Sequence, residues 1–303
     1  MKSSHLLPAL LRDPRAKRPL EMVGRAYDRI FAKPERVLHA AAPASDANGF
    51  SVAIAHYNRG KKIHIPLLNL VEHPAVREIV ILDDGSEAGE YQALEEFLSQ
   101  LEGKEKVRLH RRKENRGALV TKSEAVALCT SDWVLVLDSD NTAFRHYLDR
   151  LLALDPKRPD TIYGACWAFP FFPFHELAGV RLDFDNAVRG VKSGLLRKAY
   201  MINDGNYLVP RERYVSTAES LGNLRSDVAD VMLFNYLWLT GGGSIELLPS
   251  TAYFHRVDAT SFWVRTQDAS RDRVLELFAR IEQGLACDGE FIDGLQAGGA
   301  VQK

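Results

Sequence analysis

The sequence predicts an α/β fold built on a mostly parallel sheet with helices on its faces. Between residues 50 and 154, apolar runs of strand length alternate with segments of helical apolar spacing. The run at 133–137 is apolar throughout, as in a parallel strand buried on both faces. Right-handed crossovers would then bring the carboxyl ends of all these strands to one edge of the sheet.

The elements of this half follow from the pattern in order. Pro66 suits the first turn of a helix, and residues 67–71 supply its apolar face. Gly117 precedes a helical pattern that ends near Cys129. The predicted strands cover residues 50–55, 76–82, 107–110 and 133–137, and the predicted helices lie at 66–71, 94–101, 118–129 and 144–154.

Each of the four strands is followed by a polar, sharply turning segment, namely residues 56–58, 83–85, 115–117 and 138–140. Open α/β sheets bind ligands at this edge. The pair Asp138 and Asp140 offers the carboxylate oxygens that Mg²⁺ or Mn²⁺ prefers. On these residues alone a second interpretation stays open, in which both carboxylates cap the next helix.

Bulk composition excludes several classes of function. The net charge of −1 and pI of about 6.8 give no overall electrostatic attraction to nucleic acid. Three scattered cysteines indicate a reducing compartment. No secretory signal and no apolar run of membrane-spanning length is recognisable. We therefore expect a cytoplasmic protein without transmembrane helices.

Residues 1–48 form a basic N-terminal extension by composition. A basic amphipathic helix here would make a peripheral contact with an anionic membrane. The alternative, which the partial patterning favours, is a solvated extension packed on the domain. We expect the main domain to cover residues 49–265, with halves at 49–154 and 155–265, followed by a C-terminal helix and a loose tail over 266–303.

The first half of this domain resembles glycosyltransferase family 2, whose members have the Rossmann-like GT-A fold. The resemblance rests on three motifs in order: the strand and Tyr-Asn-Arg turn at 52–59, the Asp-Asp-Gly-Ser turn at 83–86, and the ungapped segment from Asn115 to Asp140. It implies a GT-A α/β domain that binds a nucleoside-diphosphate sugar. His56 stands where the family commonly has a small residue or proline, so its role is open.

The resemblance also implies donor-binding residues. Tyr57 matches the turn that holds the base and ribose, and Asp83 and Asp84 match positions that bind uracil or ribose. Lys122 takes the place of a basic helix residue near the base and diphosphate. By its own sequence context, a solvated position on the helix surface is the favoured alternative for Lys122.

A divalent cation, Mn²⁺ or Mg²⁺, is implied as cofactor. Asp140 matches the direct ligand, and Asp138 the carboxylate that faces ribose and metal. His255 follows a strand that resembles the family's terminal strand, where a His completes the metal shell in several GT-A enzymes. Imidazole suits Mn²⁺ better than Mg²⁺.

The second half is expected to hold the catalytic base and the acceptor site. In the family an acid at a helix start removes the acceptor proton, and the candidates here are Asp230 and Asp227, with Asp230 preferred. The family's Glu-Asp pair is absent. The aromatic and proline-rich stretch 169–175 either lines the acceptor site or packs in the core.

The sequence thus predicts a metal-dependent inverting glycosyltransferase of hexosyltransferase type. Its donor would be a nucleoside-diphosphate sugar, with UDP as the commonest nucleotide, and its acceptor a hydroxyl of a saccharide or lipid-linked glycan, as in polysaccharide biosynthesis. Two alternatives remain: a non-catalytic relative that binds nucleotide sugars or carbohydrate, and a sugar-phosphate nucleotidyltransferase. A nucleotidyltransferase would have a Gly-rich turn after the first strand, and this chain has residues 56–58 in that place.

Overall fold

The computed structural model describes residues 49–193, 201–222, 230–257, 261 and 267–299. The basic segment 1–48 and the candidate base Asp227 lie outside these ranges. Among the described helices, none combines the length and apolar character needed to cross a membrane.

Strands and helices alternate through the first half of the chain, as predicted. The strands are β1 (Phe50–His56), β2 (Val76–Asp83), β3 (Val107–Arg111), β4 (Trp133–Asp138), β5 (Thr142–Ala143), β6 (Thr161–Ala165), β7 (Trp167–Phe169), β8 (Phe172–Pro173), β9 (Arg181–Leu182), β10 (Tyr207–Pro210), β11 (Ser244–Leu248) and β12 (Tyr253–Phe254). The helices are α1 (His64–Val71), α2 (Ala88–Gln100), α3 (Ala118–Leu128), α4 (Arg145–Leu152), α5 (Phe184–Lys192), α6 (Arg211–Glu219), α7 (Asp230–Thr240), α8 (Gln267–Gln283) and α9 (Gly289–Gly299).

The central sheet has eight strands in the order β3-β2-β1-β4-β10-β6-β11-β9. The first four are mutually parallel. β10 pairs antiparallel with both β4 and β6, so β6 and the strand parallel to it, β11, run in the direction of β4. β9 pairs antiparallel with β11. Six of these eight strands therefore share one direction, which confirms the mostly parallel α/β sheet.

Both predicted halves of the domain contribute to this one sheet, because β10 from the second half lies directly beside β4 from the first. A smaller sheet, in the order β5-β12-β7-β8, covers the region after β4. The core is continuous across β1, β2 and β4, whose apolar residues are almost fully buried. Burial on both faces explains why these strands are apolar runs rather than alternating ones.

The C-terminal region differs in part from the expectation. The predicted amphipathic helix is present as α8. The tail after Gly284 is not loose throughout, because α9 covers Gly289–Gly299. Ile292 is buried, and Phe291 and Leu295 pack against the core. These three apolar side chains at helical spacing stabilise a segment whose Gly- and Ala-rich composition suggested a flexible tail.

A buried carboxylate, Glu78, connects neighbouring segments at the amino-terminal ends of the parallel strands, opposite the edge with the acidic turns. Glu78 on β2 accepts hydrogen bonds from Ser51 Oγ at 2.7 Å and Thr130 Oγ1 at 2.6 Å, and Arg108 Nη1 lies 2.8 Å from its second oxygen. Burial alone would raise the pKa of Glu78, but these hydrogen bonds outweigh it and lower the pKa to about 2. The hydrogen bonds around Glu78 therefore favour its ionised form.

We expect Glu78→Gln to lower the free energy of unfolding at neutral pH by about 1 to 3 kcal/mol, because one amide cannot accept from all these donors. The native carboxylate contributes stability above its unfolded pKa of 4.5, and that contribution disappears as the pH falls through about 2. Urea unfolding of both proteins across this pH range should show the difference shrinking. Exposed Glu102→Gln is the control. Equal stability of Glu78→Gln and wild type at neutral pH would contradict this role.

Candidate active site

The carboxyl ends of the parallel strands meet at one edge, as predicted. Register pairs His56 at the end of β1 with Asp83 at the end of β2. On the other side, Ala55 of β1 pairs with Asp138 at the end of β4. The Asp83 and Asp138 ends are therefore separated by β1 alone, so the sheet brings the two acidic turns to the same crevice.

Asp83 is fully buried and is oriented by His56 at the end of β1 and by Ser86 in the turn after β2. His56 Nδ1 lies 2.9 Å from its Oδ1, Ser86 Oγ donates to the same oxygen, and the Ser86 amide donates to Oδ2 at 3.1 Å. Burial would raise the pKa of Asp83, but the hydrogen bonds from His56 and Ser86 bring it below the ordinary value. His56, which the sequence left without a role, thus fixes the orientation of Asp83.

Asp84 organises the neighbouring turn. It is 2% exposed, and its Oδ1 accepts from the Arg116 amide at 3.0 Å and from Arg112 Nη1 at 2.9 Å. Its Oδ2 accepts from the Gly117 amide at 3.0 Å. The Asp-Asp-Gly-Ser turn and the Asn-x-Gly turn are therefore linked through this carboxylate. In this structure both oxygens of Asp84 are engaged within the chain.

Tyr57 lies on the outer side of this crevice, with 43% of its surface exposed. The next residue, Asn58, has a positive φ of 52° and is held to the second turn, since its amide donates to Ser86 Oγ at 2.8 Å. Its side-chain oxygen accepts from the Glu87 amide at 2.9 Å. The Tyr57 ring is thus presented from an anchored turn, with a face available for stacking.

An open depression of about 320 Å³ at the end of β3 was not identified from the sequence. Its lining is Arg111, Arg112 and Lys113, the three consecutive cations at the end of β3. Two of the cations that line it pair with the acidic turn, Arg111 with Asp83 at 3.5 Å and Arg112 with Asp84 at 2.9 Å. The Arg111 guanidinium lies 3.8 Å from the centroid of the Tyr91 ring. The signal in the sequence was this cationic triplet directly after a strand, and its chemistry suits an anionic ligand.

Lys122 is not a solvated helix residue, contrary to the interpretation that its sequence context favoured. Its side chain is 9% exposed, and Nζ lies 2.9 Å from Asp138 Oδ1. Burial would lower the pKa of Lys122, but attraction to Asp138 and Asp230 outweighs it and raises the pKa. Conversely, burial would raise the pKa of Asp138, and the Lys122 charge lowers it. Lys122 therefore links the strand-end carboxylate with the helix α7 that carries Asp230.

Asn206, which precedes β10, fixes the other side of Asp138 and is 2% exposed. Its Oδ1 accepts from the Asp138 backbone amide at 3.0 Å, and its Nδ2 donates to Asp138 Oδ2 at 3.2 Å. Glycine precedes it because a Cβ at Gly205 would lie 2.9 Å from Val231 Cγ2. The role of Asn206 was not predicted from the sequence, because the pairing of β10 with β4 is a long-range contact.

Asp204 is a second carboxylate that the sequence did not identify. Its Oδ1 accepts from the Asn206 amide and from Tyr253 Oη, each at 3.0 Å. Its Oδ2 is buried and has no hydrogen-bond partner among the described residues. Burial raises the pKa of Asp204. A buried carboxylate oxygen without a donor suits a cation or a hydroxyl group supplied from outside the chain.

His255 lies beside this group. Its Nδ1 is 3.3 Å from Tyr253 Oη. Burial lowers the pKa of His255, although the charges of Asp204 and Asp138 oppose the change. A lowered pKa favours the neutral ring at pH 7, and the neutral imidazole is the form that binds metals.

Asp140 faces the β1 turn. Its Oδ2 lies 3.2 Å from Arg59 Nε, and each side chain is 15% exposed. The carboxylates of Asp138 and Asp140 and the neutral ring of His255 fit Mn²⁺ or Mg²⁺ by donor type, and the unpartnered Asp204 oxygen adds a further donor. Within the described ranges, however, no three His, Cys, Asp or Glu side chains are already grouped as a ligand set.

The aromatic stretch 169–175 lies partly in the core and partly beside His255. Phe174 is buried in the core. Phe172 is partly buried, and its ring meets that of His255 edge-on, with centroids 5.6 Å apart. Trp167 and Phe169 form a similar edge-on pair at 4.9 Å. Part of the stretch therefore extends the crevice beyond His255 with aromatic surface.

Comparison with known proteins agrees with this fold. The family model described as Glycosyl transferase family 2 matches residues 51–177. An uncharacterized glycosyltransferase of Mycoplasma pneumoniae, the MG060 homolog, is 31% identical over 124 residues, which cover 39% of this chain. The chain spans 41% of the length of that curated relative.

Solved structures share the fold at low sequence identity. S. aureus TarS (residues 1–349) in complex with UDP-GlcNAc gives a TM-score of 0.57 at 17% identity, covering 82% of this chain and 71% of that one. The mannosyltransferase PcManGT of Pyrobaculum calidifontis, in complex with GDP-Man and Mn²⁺, gives 0.54 at 17% identity, covering 98% of this chain and 88% of that one. The chain therefore contains a glycosyltransferase family 2 domain over residues 51–177 and has the GT-A fold.

Proposed function

We propose that the protein is a metal-dependent inverting glycosyltransferase. It would transfer a sugar from a nucleoside-diphosphate sugar to a hydroxyl of a saccharide or lipid-linked glycan. The observation that carries the proposal is the contact of Lys122 with Asp138 at 2.9 Å, since it gathers the D-x-D strand end and helix α7 around one crevice. The family 2 domain over residues 51–177 supports the same reaction class.

The donor is inferred from the crevice and from the related structures. TarS was solved with UDP and with UDP-GlcNAc, and PcManGT with GDP-Man and Mn²⁺. For this chain we propose a UDP-linked sugar, with the exposed ring of Tyr57 stacking on the base. Asp83 and Asp84 would accept hydrogen bonds from the nucleoside, which requires their buried carboxylates to become accessible when the donor binds. The cations Arg111, Arg112 and Lys113 would keep the crevice attractive to an anionic donor.

A divalent cation would be held by Asp138, Asp140 and His255. Bound there, it supplies positive charge that stabilises the leaving diphosphate. The chain's own contribution is to hold these donors in place: Lys122 and Asn206 fix the two oxygens of Asp138. Because Arg59 lies 3.2 Å from Asp140 Oδ2, ligation by that oxygen requires the guanidinium to move away.

Asp230 is the proposed general base. Its carboxylate would take the proton of the acceptor hydroxyl while that oxygen forms a bond to the anomeric carbon. The bond from the anomeric carbon to the diphosphate oxygen breaks on the opposite face, so the configuration inverts and the diphosphate leaves with the bonding electrons. The positive charge of Lys122 attracts the Asp230 carboxylate as well as that of Asp138. Asp227 is the alternative base.

The remaining predictions are part of the same proposal. We propose one GT-A domain over residues 49–265, with its donor half at 49–154 and its acceptor half at 155–265. Residues 1–48 would be a basic extension that either packs on the domain or makes a peripheral contact with a membrane. The protein would be cytoplasmic. The aromatic residues next to His255, including Phe172, would line the acceptor side.

A non-catalytic relative that binds nucleotide sugars is the second candidate. The specific observation in its favour is that Asp140 is engaged by Arg59 and that no three-residue ligand set is formed within the described ranges. The two candidates differ in turnover. A radiolabelled panel of UDP- and GDP-sugars, incubated with Mn²⁺ and mixed saccharide and lipid-linked acceptors, should give transfer or slow donor hydrolysis. Donor binding without either product would favour the non-catalytic relative.

We expect Asp140→Ala to remove this activity while the protein stays folded, because Asp140 lies in the turn after β4 and is not part of the hydrophobic core. The rate of donor hydrolysis and the circular dichroism spectrum of the variant are the measurements. Exposed Glu102→Ala is the control. Unchanged activity of Asp140→Ala would show the proposed metal-dependent mechanism to be wrong.

A further inference from the structure

The hydrogen bonds around Tyr253 determine where its single hydroxyl proton lies. Tyr253 is 1% exposed, and its oxygen has three neighbours: Asp204 Oδ1 at 3.0 Å, Asn206 Nδ2 at 3.3 Å, and His255 Nδ1 at 3.3 Å. A tyrosine hydroxyl carries its proton at neutral pH, where it can donate one hydrogen bond and accept others. The hydroxyl has a single proton, so it can be the donor in only one of these three contacts.

The orientation of the Asn206 amide settles the first contact. Its Oδ1 lies 3.0 Å from the Asp138 backbone N–H and 3.1 Å from Asn141 Nδ2, both of which are donors. The amide oxygen must face these donors, and Nδ2 must therefore face Tyr253. Nδ2 also lies 3.2 Å from Asp138 Oδ2 and 3.4 Å from Asp204 Oδ1, and an amide nitrogen donates but does not accept. The contact of Asn206 with Tyr253 Oη therefore does not use the tyrosine proton.

The second contact uses that proton. Asp204 Oδ1 already accepts from the Asn206 backbone N–H at 3.0 Å, which marks this oxygen as an acceptor. Tyr253 is then the donor to Asp204, whether or not the other carboxylate oxygen carries a proton. With its proton directed at Asp204, Tyr253 Oη has only a lone pair left for His255.

We propose that Asp204 and Tyr253 are positioning residues that hold the neutral His255 ring as the Nδ1–H tautomer. Nδ1 donates to Tyr253, and Nε2 is left with its lone pair as the donor atom toward a divalent cation. The tautomer of a metal-binding imidazole is set in this way by the hydrogen bond of its other nitrogen. The role of Nε2 as a metal ligand rests on the proposed function. The tautomer does not, since it is a property of the metal-free protein.

The test is the tautomer of His255 in protein labelled with ¹⁵N-histidine, measured by long-range ¹H–¹⁵N correlation at about pH 8, where a free imidazole is neutral. The His255 signals are assigned by their loss in His255→Gln. We expect Nδ1 to carry the proton in the wild type. In Tyr253→Phe, which keeps the ring and lacks the hydroxyl, we expect a shift toward the Nε2–H form.

Tyr207→Phe is the matched control, because Tyr207 is also a buried tyrosine but its hydroxyl donates to Asn235 Oδ1 at 2.9 Å and not to His255. It should leave the His255 tautomer unchanged. A proton on Nε2 of His255 in the wild type would overturn the proposal. So would a folded Tyr253→Phe whose His255 tautomer equals that of the wild type.

Metal affinity separates this proposal from the proposed function. Titration of Mn²⁺ followed by electron paramagnetic resonance should show an affinity about 10- to 100-fold lower in Tyr253→Phe, as for other residues that orient a metal ligand. If the tautomer changes as expected but Mn²⁺ binding is equal in both proteins, the positioning of His255 stands and its assignment as a metal ligand fails.

Discussion

Replacing Asp230 by Asn should lower kcat for sugar transfer by about 10²- to 10⁴-fold, the range typical of a lost general base. The amide keeps the size of the side chain but cannot accept the acceptor's hydroxyl proton. Affinity for the nucleotide should change little, because the proposed donor contacts lie at the carboxyl ends of β1 to β4 and not on α7. Initial rates at saturating donor and Mn²⁺, together with UDP binding by calorimetry, measure both effects.

Asp227→Asn is the matched control for this prediction. If Asp230 is the base, Asp227→Asn retains most of the wild-type kcat. The reverse pattern, with Asp227→Asn inactive and Asp230→Asn active, would assign the base to Asp227 and contradict the preference for Asp230. UDP binding to both variants establishes that a loss of rate does not come from unfolding.

Lys122→Met should lower the free energy of unfolding by about 3 kcal/mol, the lower end of the range for removing one partner of a buried ion pair. The lower end applies because the Asp138 side chain is 33% exposed and gains some hydration when Lys122 is lost. The physical cause is the unpaired Asp138 carboxylate, which keeps only its contacts with Asn206 and Asn141. Urea unfolding at neutral pH measures the loss.

Two variants make this prediction specific. Exposed Lys61→Met should be within the error of the wild type. The double variant Lys122→Met with Asp138→Asn should recover part of the stability, since no buried charge is then left unpaired. If Lys122→Met is as stable as the wild type, Lys122 is a solvated helix residue and its contact with Asp138 does not contribute to the free energy of unfolding.

The sheet and its acidic edge could be predicted from sequence because their signals are local. The apolar run ending at Asp138 identifies a strand buried on both faces, and strand–helix alternation fixes the direction of its neighbours. Burial of Lys122 could not be predicted, because its partner Asp138 lies on another element. The local sequence around a helical lysine is the same whether or not a carboxylate from another element faces its side chain.

The residues that were missed lie where the second half of the chain returns to the first. Asp204 and Asn206 enter the crevice because β10 pairs antiparallel with β4, a contact without any local signature. Tyr253 joins them through the short strand β12. The helix α9 was missed for a different reason, since the small residues around Ile292 dilute its apolar spacing. Long-range pairing and diluted periodicity thus account for these differences.

The central claim is that the carboxyl edge of the sheet binds a nucleotide together with a divalent cation. Calorimetric titration of UDP and GDP into the wild type and into Asp140→Asn, each with and without Mn²⁺, tests it most directly. We predict that Mn²⁺ increases the affinity of the wild type for its nucleotide and that Asp140→Asn loses this increase. Absence of nucleotide binding by the wild type, or an equal effect of Mn²⁺ on both proteins, would contradict the claim.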